Sequence, residues 1–266
     1  MSLIVRLTIS NKLPEIRLAA AMVDQFCQRH GLPGREANAI NVVLDEILSN
    51  VIHHGLDHSA RHEISIALNL DAGEITMEVE DDGAPFDPTG VPAPVLADNL
   101  SERKIGGLGL VFVRALTDSI AYRRVANRNR LVLRRRVKDG VGAAQPSPAF
   151  RISESTHGTG LVLAVEGRID SEAAKTLRDK LFNAIHASPG RVAVDLSRVS
   201  YVGSAGIWAL LAAEYRATAR GGGLVIFGLS REMGKLLGRT GVAGALRICE
   251  TAQQALATLH PAAPPR

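Results

Sequence analysis

From Asn38 to Gly55 the chain reads NAINVVLDEILSNVIHHG, with Ile40, Val43, Leu44, Ile47, Leu48 and Val51 recurring at helical spacing. That spacing predicts an amphipathic helix that lays one apolar face on a core and stops at Gly55. Glu46, Asn50 and His54 come at every fourth position along the edge of that face, which stacks them on one side. A carboxylate one turn from a carboxamide, beside a buried stripe, is either a solvated border or the start of a site.

The pattern elsewhere in the first half mixes strands with helices. Residues 2–9 alternate as a strand with Leu3, Val5, Leu7 and Ile9 on one side. Pro14 opens a helix carrying Ile16, Leu18, Ala19, Met22, Val23 and Phe26, which ends near Gly31. Two β-runs, 63–70 and 74–80, are joined by the tight turn Asp71-Ala72-Gly73. A hairpin of this kind is antiparallel, which excludes a Rossmann-type parallel sheet here. The second run empties into EDDGAPFDP, residues 80–88, and then into an aperiodic stretch rich in Pro and polar residues from Thr89 to Lys104. A loop of that length without its own periodicity is typically functional or disordered. It closes in IGGLGLVFVRALTD, residues 105–118, a glycine turn feeding an apolar helix, and residues 119–125 and 130–137 read as two further strands.

The stretch KDGVGAAQPSP, residues 138–148, has linker composition, so the domain boundary is placed there. After it, strand and helix patterns alternate over 160–166, 171–187, 191–196, 204–220, 223–227, 230–239, 246–249 and 252–259. These predict a small α/β domain with a partly parallel sheet over 149–260, and the last residues, 261–266, read as a frayed tail.

Composition changes this picture little. With 266 residues, 46% hydrophobic and 22% charged, two globular domains are expected. No apolar run approaches the ~20 residues of a membrane span. The start lacks the apolar core of a signal peptide. Cys27 and Cys249 have no neighbours at metal spacing, so reduced thiols and a cytoplasmic setting are expected. The net charge is +4, and basic residues bunch in YRRVANRNRLVLRRRVKDG, 122–140. Without interleaved aromatics beyond Tyr122 this run suits a solvated strand face, or a docking surface for an acidic protein, better than nucleic acid. His53, His54, His58 and His62 invite a metal reading, but the helix break at Gly55 spoils their register.

Three pieces of the first half carry candidate chemistry. Gly106, Gly107 and Gly109 before a helix can expose backbone N–H groups to a phosphate, although GGLG alone is also ordinary turn chemistry. Asp81 and Gly83 after a strand can hold a base-like ring, the carboxylate accepting from an exocyclic amine, although DDG alone is also a common turn. Asn50 supplies a neutral oxygen suited to Mg²⁺, which keeps waters and phosphates among its ligands.

Taken together, E-x-x-x-N on a helix, D-x-G after a strand, a lid-length loop and G-x-G before a helix resemble the GHKL ATPase family. His54, DDGAPFDP and GGLGLVFV look like the anti-sigma-factor serine kinases of bacterial partner switching, over residues 1–137. The resemblance implies an α/β sandwich with a mainly antiparallel sheet and ATP between helices and sheet. It implies that Asn50 ligates Mg²⁺, Asp81 contacts adenine, Gly83 shapes that pocket, and Gly107 and Gly109 meet the phosphates. Glu46 is then the general base. Histidine kinases would need a phosphoacceptor helix bundle before this unit. DNA-topology and chaperone members would need a transducer domain after it.

The second half has another character. EGRIDSEAAKTLRDKL, 166–181, and DLSRVSYVGSAGIWALL, 195–211, resemble a STAS domain, the fold of anti-sigma-factor antagonists. The resemblance implies that Ser204, opening the helix after the DLS strand, is the phosphoacceptor. One departure is Gly203, where bacterial antagonists often carry Asp. Ser204 is also a favoured N-cap residue, and the two readings are compatible. Tyr201 and Trp208 beside it suit a core or an interface.

The expectation is a cytoplasmic partner-switching regulator in which ATP and Mg²⁺ drive serine phosphorylation of a STAS antagonist, its own Ser204 or a separate partner. The client is a sigma factor or another regulatory protein, with STAS or phosphatase partners alongside, no membrane or direct nucleic-acid contact, and a homodimer through the first domain. The alternative is an ATP-gated binding module without phosphoryl transfer.

Overall fold

In the computed structural model the described residues are 4–57, 59–91, 108–137, 148–157, 160–188 and 192–258. They fall into two units, each with its own five-stranded sheet. The linker (138–147), His58 and residues 92–107, with most of the lid-length loop, Gly106 and Gly107, lie outside the described residues.

In the first unit, strand β1 (Val5–Ser10) leads through a short 3-10 turn at Leu13–Glu15 into helix α1 (Ile16–Arg29). Helix α2 (Gly34–Asn50) comes next, then β2 (Glu63–Asp71), β3 (Glu74–Asp81), α3 (Leu108–Leu116), β4 (Ser119–Val125) and β5 (Arg128–Arg136). The sheet order is β1-β2-β3-β5-β4, antiparallel throughout. Two hairpins close on two-residue turns with positive φ, Ala72/Gly73 and Ala126/Asn127, the handedness that matches strand twist. Ile64, Ile66, Leu68, Ile75, Met77, Val79, Leu131 and Leu133 face one way and are buried beneath α1, α2 and α3.

The opposite face of β3 and β5 explains the basic run. Arg128 pairs with Glu80 at 2.5 Å, Arg130 with Glu78 at 2.5 Å and Arg134 with Glu74 at 3.5 Å. These are half-exposed pairs, each worth about 0–1 kcal/mol, and they form an internally neutralised strand face.

Helix α2 begins at Gly34, earlier than Asn38, because its polar first turn is tied down. Glu36 is fully buried and its carboxylate meets Arg135 of β5 at 2.7 Å. The same guanidinium donates to the carbonyl of Leu116 at 2.7 Å, so one side chain joins the start of α2, the end of α3 and the sheet. At its other end the helix does not stop at Asn50 but widens into a π-turn, Val51–Gly55. That turn breaks the i, i+4 register, and His53 and His54 are exposed.

The second unit runs β6 (Arg151–His157), β7 (Gly160–Ile169), α4 (Ser171–Ala187), β8 (Val192–Val202), α5 (Ser204–Thr218), β9 (Leu224–Phe227), α6 (Arg231–Arg239), β10 (Arg247–Ile248) and α7 (Ala252–Thr258). Its sheet order is β10-β9-β8-β7-β6, parallel from β7 to β10 with β6 antiparallel at the edge. Strand β6 has no counterpart in the sequence pattern, because nearly all its residues are exposed and it shows no alternation. Strand β8 runs on to Val202, past Leu196, because pairing with β7 continues through two bulges to Ile169↔Val202.

Cys27 and Cys249 are free thiols, and burial pushes that of Cys27 up to about 12, so it is neutral and unreactive at ordinary pH. Among the described residues no helix is long and apolar enough to cross a membrane.

Two buried or half-buried carboxylates make the stability testable. Arg135→Leu removes the nearer of the two guanidinium partners of buried Glu36, leaving Arg35 at 3.4 Å, and should lower the unfolding free energy of the first unit by about 3 kcal/mol in urea titrations, whereas Glu36→Leu/Arg135→Leu recovers most of the loss. Glu15 accepts from the Ser10 hydroxyl at 2.5 Å and from its backbone N–H at 2.6 Å, bonds that hold its carboxyl below the ordinary range. Because the folded value is depressed, this stabilisation is complete above the unfolded value of about 4.3 and is lost as pH falls through the folded one. The stability gap between wild type and Ser10→Ala should therefore close on acidification.

Candidate functional site

Among the described residues, Glu46 and Asn50 of α2 lie against Gly109 of α3, and the turn after Asp81 is tied to Gly55 at the end of the helical segment. Glu46 and Asn50 sit one turn apart on α2, and the Asn50 amide nitrogen donates to Glu46 Oε1 at 2.8 Å. A carboxylate oxygen accepts only, so this bond fixes the amide with its nitrogen toward Glu46 and leaves its oxygen facing elsewhere. That is the orientation a hard cation needs from a carboxamide.

Helix α3 approaches the same carboxylate. A Cβ added at Gly109 would overlap Glu46 Cδ and both carboxylate oxygens, so glycine here lets the first turn of α3 close on the Glu46 carboxylate where it stands. The N-terminal turn of a helix carries unpaired N–H groups and the positive end of its dipole, which favour an anion there. Gly107, one residue before α3, lies outside the described residues.

Asp81 ends β3 and is 5% exposed. Its Oδ1 accepts from the Gly83 N–H at 2.8 Å and from Asn129 Nδ2 at 2.8 Å. Both bonds converge on one oxygen, so Oδ2 remains an acceptor without a donor among the described residues. The Asp81–Gly83 turn is pinned to the end of the π-turn: Ala84 N–H donates to Gly55 O at 2.8 Å, and a Cβ on Gly83 would collide with that same carbonyl. Two backbones in contact set the spacing between Asn50 and Asp81.

The residue the sequence reading missed is Asn129. It faces inward on β5, 7% exposed, directly opposite Asp81 in the strand register. An asparagine two positions after a hairpin turn looks like turn chemistry. The register Asp81↔Asn129 gives it away, and that belongs to the pairing of β3 with β5, two strands no hairpin joins. Arg114 of α3 is a second omission. It donates to the carbonyls of Pro88 at 3.0 Å and Thr89 at 3.4 Å, and to that of Val91, fastening the described start of the lid-length loop to α3.

In the second unit Ser204 is half-buried as the first residue of α5. It is not the N-cap: Gly203 holds that place, its N–H donating to Ile169 O at 2.9 Å. The neighbouring helices are capped by side chains, Asp170 on α4 and Ser230 on α6, whereas α5 has no side-chain cap. Tyr201 is buried with the Arg168 guanidinium 4.1 Å over its ring, and Trp208 is half-buried.

Comparison with known proteins divides the chain at the same two units. Residues 9–135 match the family described as the histidine kinase-like ATPase domain, and residues 152–249 match the Mlab, STAS domain. Over 94 residues, 35% of this chain, the sequence is 30% identical to the serine/threonine-protein kinase BtrW of Bordetella bronchiseptica, and the match spans 66% of that protein, just under two thirds of its length. Among solved structures, an anti-sigma factor antagonist from Mycobacterium paratuberculosis is 22% identical, with a TM-score of 0.39 over 42% of this chain and 94% of that one. The RsbU and RsbW domains of a Mycobacterium tuberculosis protein are 16% identical, with a TM-score of 0.39 over 53% of this chain and 33% of that one.

The contacts at Gly109 and Gly83 are open to a direct check. Gly109→Ala forces either α3 or the Glu46 carboxylate to move, and should cost about 1–3 kcal/mol of first-unit stability in urea unfolding. Gly83→Ala, which meets backbone, should cost at least as much. Gly90→Ala, with nothing within 4 Å of the added Cβ, should stay within about 0.5 kcal/mol of wild type.

Proposed function

Because the chain joins a histidine kinase-like ATPase domain, residues 9–135, to a STAS domain, residues 152–249, we propose that it is a partner-switching serine kinase. It uses ATP to phosphorylate a STAS antagonist, its own Ser204 or a separate protein, and so changes which client, a sigma factor or another regulator, is held. The observation that carries this reading is the Glu46 carboxylate, bonded to Asn50 and closed upon by Gly109.

In this reading Asp81 Oδ2 accepts from the adenine amine, and Gly83 shapes the pocket by letting its turn close on the Gly55 carbonyl and by donating its N–H to Asp81 Oδ1. Asn50 offers its amide oxygen to Mg²⁺, which when bound neutralises phosphate charge. Gly107 and Gly109 present backbone N–H groups to the phosphates. Glu46 takes the proton from the attacking serine hydroxyl while a new Oγ–P bond forms and the bond from the γ-phosphorus to the bridging oxygen breaks, releasing ADP. A phosphate on Ser204 would sit at the uncapped start of α5, where N–H groups and the helix dipole favour it. Modification there places up to two negative charges on the surface around Trp208, enough to change the partner that docks. A cytoplasmic setting and a homodimer through the first unit belong to the same proposal.

One observation favours a second reading, an ATP-gated binding module without transfer. Gly203 stands before Ser204 with no side chain to assist a phosphoacceptor.

Glu46→Gln separates them. In the kinase it should slow γ-phosphate transfer by about 10²–10⁴-fold while ATP affinity, measured by calorimetry, stays within about twofold, since the base acts in the transition state. Equal loss of binding and transfer would contradict the assignment of Glu46 as base. Ser204→Ala should remove phosphate from the chain itself while an added STAS protein is still modified.

A further inference from the structure

The base end of the first-unit site is held by hydrogen bonds that reach the surface. Asn129 uses every bonding position of its amide. Its two N–H groups go to Asp81 Oδ1 at 2.8 Å and Ala84 O at 3.0 Å, with Gly83 O at 3.4 Å. Its oxygen accepts from Tyr122 OH at 2.8 Å and from Arg124 Nη1 at 2.7 Å.

Both sides of the amide decide which way round it sits. On the nitrogen side Asp81 Oδ1, Ala84 O and Gly83 O only accept, and on the oxygen side a tyrosine hydroxyl can donate or accept but a guanidinium only donates, so Arg124 holds the oxygen in place where the acceptors hold the nitrogen. A flip would turn the Asn129 oxygen toward the Asp81 carboxylate and free Asp81 to rotate. The same Arg124 nitrogen also donates to Gly83 O at 3.0 Å, holding the turn that carries the base pocket. Arg124 is exposed on β4, which among the described residues is an edge strand paired with β5 alone. A surface arginine thus fixes a buried amide, and the amide fixes a buried carboxylate.

We propose that Arg124 and Asn129, supported by Tyr122, are positioning residues that set purine selectivity at this site. They hold Asp81 so that its one remaining oxygen, an acceptor only, meets a 6-amino group and repels a 6-oxo group. The inference rests on the proposal that ATP occupies this pocket with its base against Asp81.

The test is equilibrium binding of ATP and of inosine triphosphate, which carries a 6-oxo group, to the full-length chain by calorimetry. The readout is the ratio of the two dissociation constants, which a simple loss of folded protein does not alter. Wild type should prefer ATP. Arg124→Ala and Asn129→Leu should each reduce the preference by about tenfold, the scale of a hydrogen bond to a charged group. Arg124→Lys, which keeps a donor, should restore part of it. Tyr122→Phe removes one hydroxyl, leaves the ring in place and should give a smaller drop, so a failure of Asn129→Leu to fold does not remove the test. An unchanged ratio in Arg124→Ala and Tyr122→Phe, alongside a collapsed ratio in Asp81→Asn, overturns the role of Arg124 and Asn129 and leaves the ATP pocket standing. An unchanged ratio in Asp81→Asn as well overturns the pocket itself.

Discussion

Much of the first unit depends on one carbonyl. Gly55 O, at the end of the π-turn that finishes α2, accepts from Ala84 and lies against Gly83 so closely that no side chain fits between them. This contact welds the helix layer to the sheet at the site itself. Upstream of it stands the Asn50–Glu46 pair, and just before Gly83 stands Asp81. Neither group could hold its distance from the other if Gly83 carried a larger side chain. The π-turn belongs to the same constraint, because it lets a helix in register with Glu36 and Arg135 at one end deliver a carbonyl to the strand ends at the other.

Apolar burial supplies the bulk of the stabilisation and polar groups supply the geometry. The core beneath α1, α2 and α3 is mostly aliphatic, and its side chains could be exchanged within limits of volume without altering the fold. The buried polar groups are different. Glu36 and Arg135 fix where α2 and α3 lie on the sheet, and Asp81 and Asn129 fix the turn that follows β3. All four face inward from strands or helices, so their placement inherits the rigidity of those elements and not that of a loop. Glu36, Arg135 and Asn129 have partners for their polar atoms, and Asp81 has them on Oδ1, which leaves Oδ2 as the open acceptor among the described residues.

The elements with strong periodicity were legible from the sequence. Helix α2 with Glu46 and Asn50, the D-x-G turn after β3, the tight β2–β3 hairpin and the alternation of the second half all rest on local patterns that tertiary packing does not override. The parts that escaped are those decided at a distance. Gly34–Ala37 looks too polar for a helix start until Arg135 is seen to neutralise Glu36. Strand β6 is exposed along nearly its whole length and carries no alternation to read. Asn129 acquires its role only through strand register, and Arg124 only through Asn129. Ser204 was expected where an N-cap belongs, but β8 runs farther than its apolar pattern suggested and Gly203 ends it, which moves the serine one position into the helix.

The central claim is that this site moves a phosphoryl group and does not merely bind a nucleotide. The measurement that meets it most directly is intact-mass and peptide mass spectrometry of the full-length chain after incubation with Mg-ATP, alone and with a separate STAS protein. Phosphoryl transfer predicts a gain of one phosphate located on Ser204 or on the serine of the added protein. A chain that binds ATP tightly and leaves both proteins unmodified would contradict it.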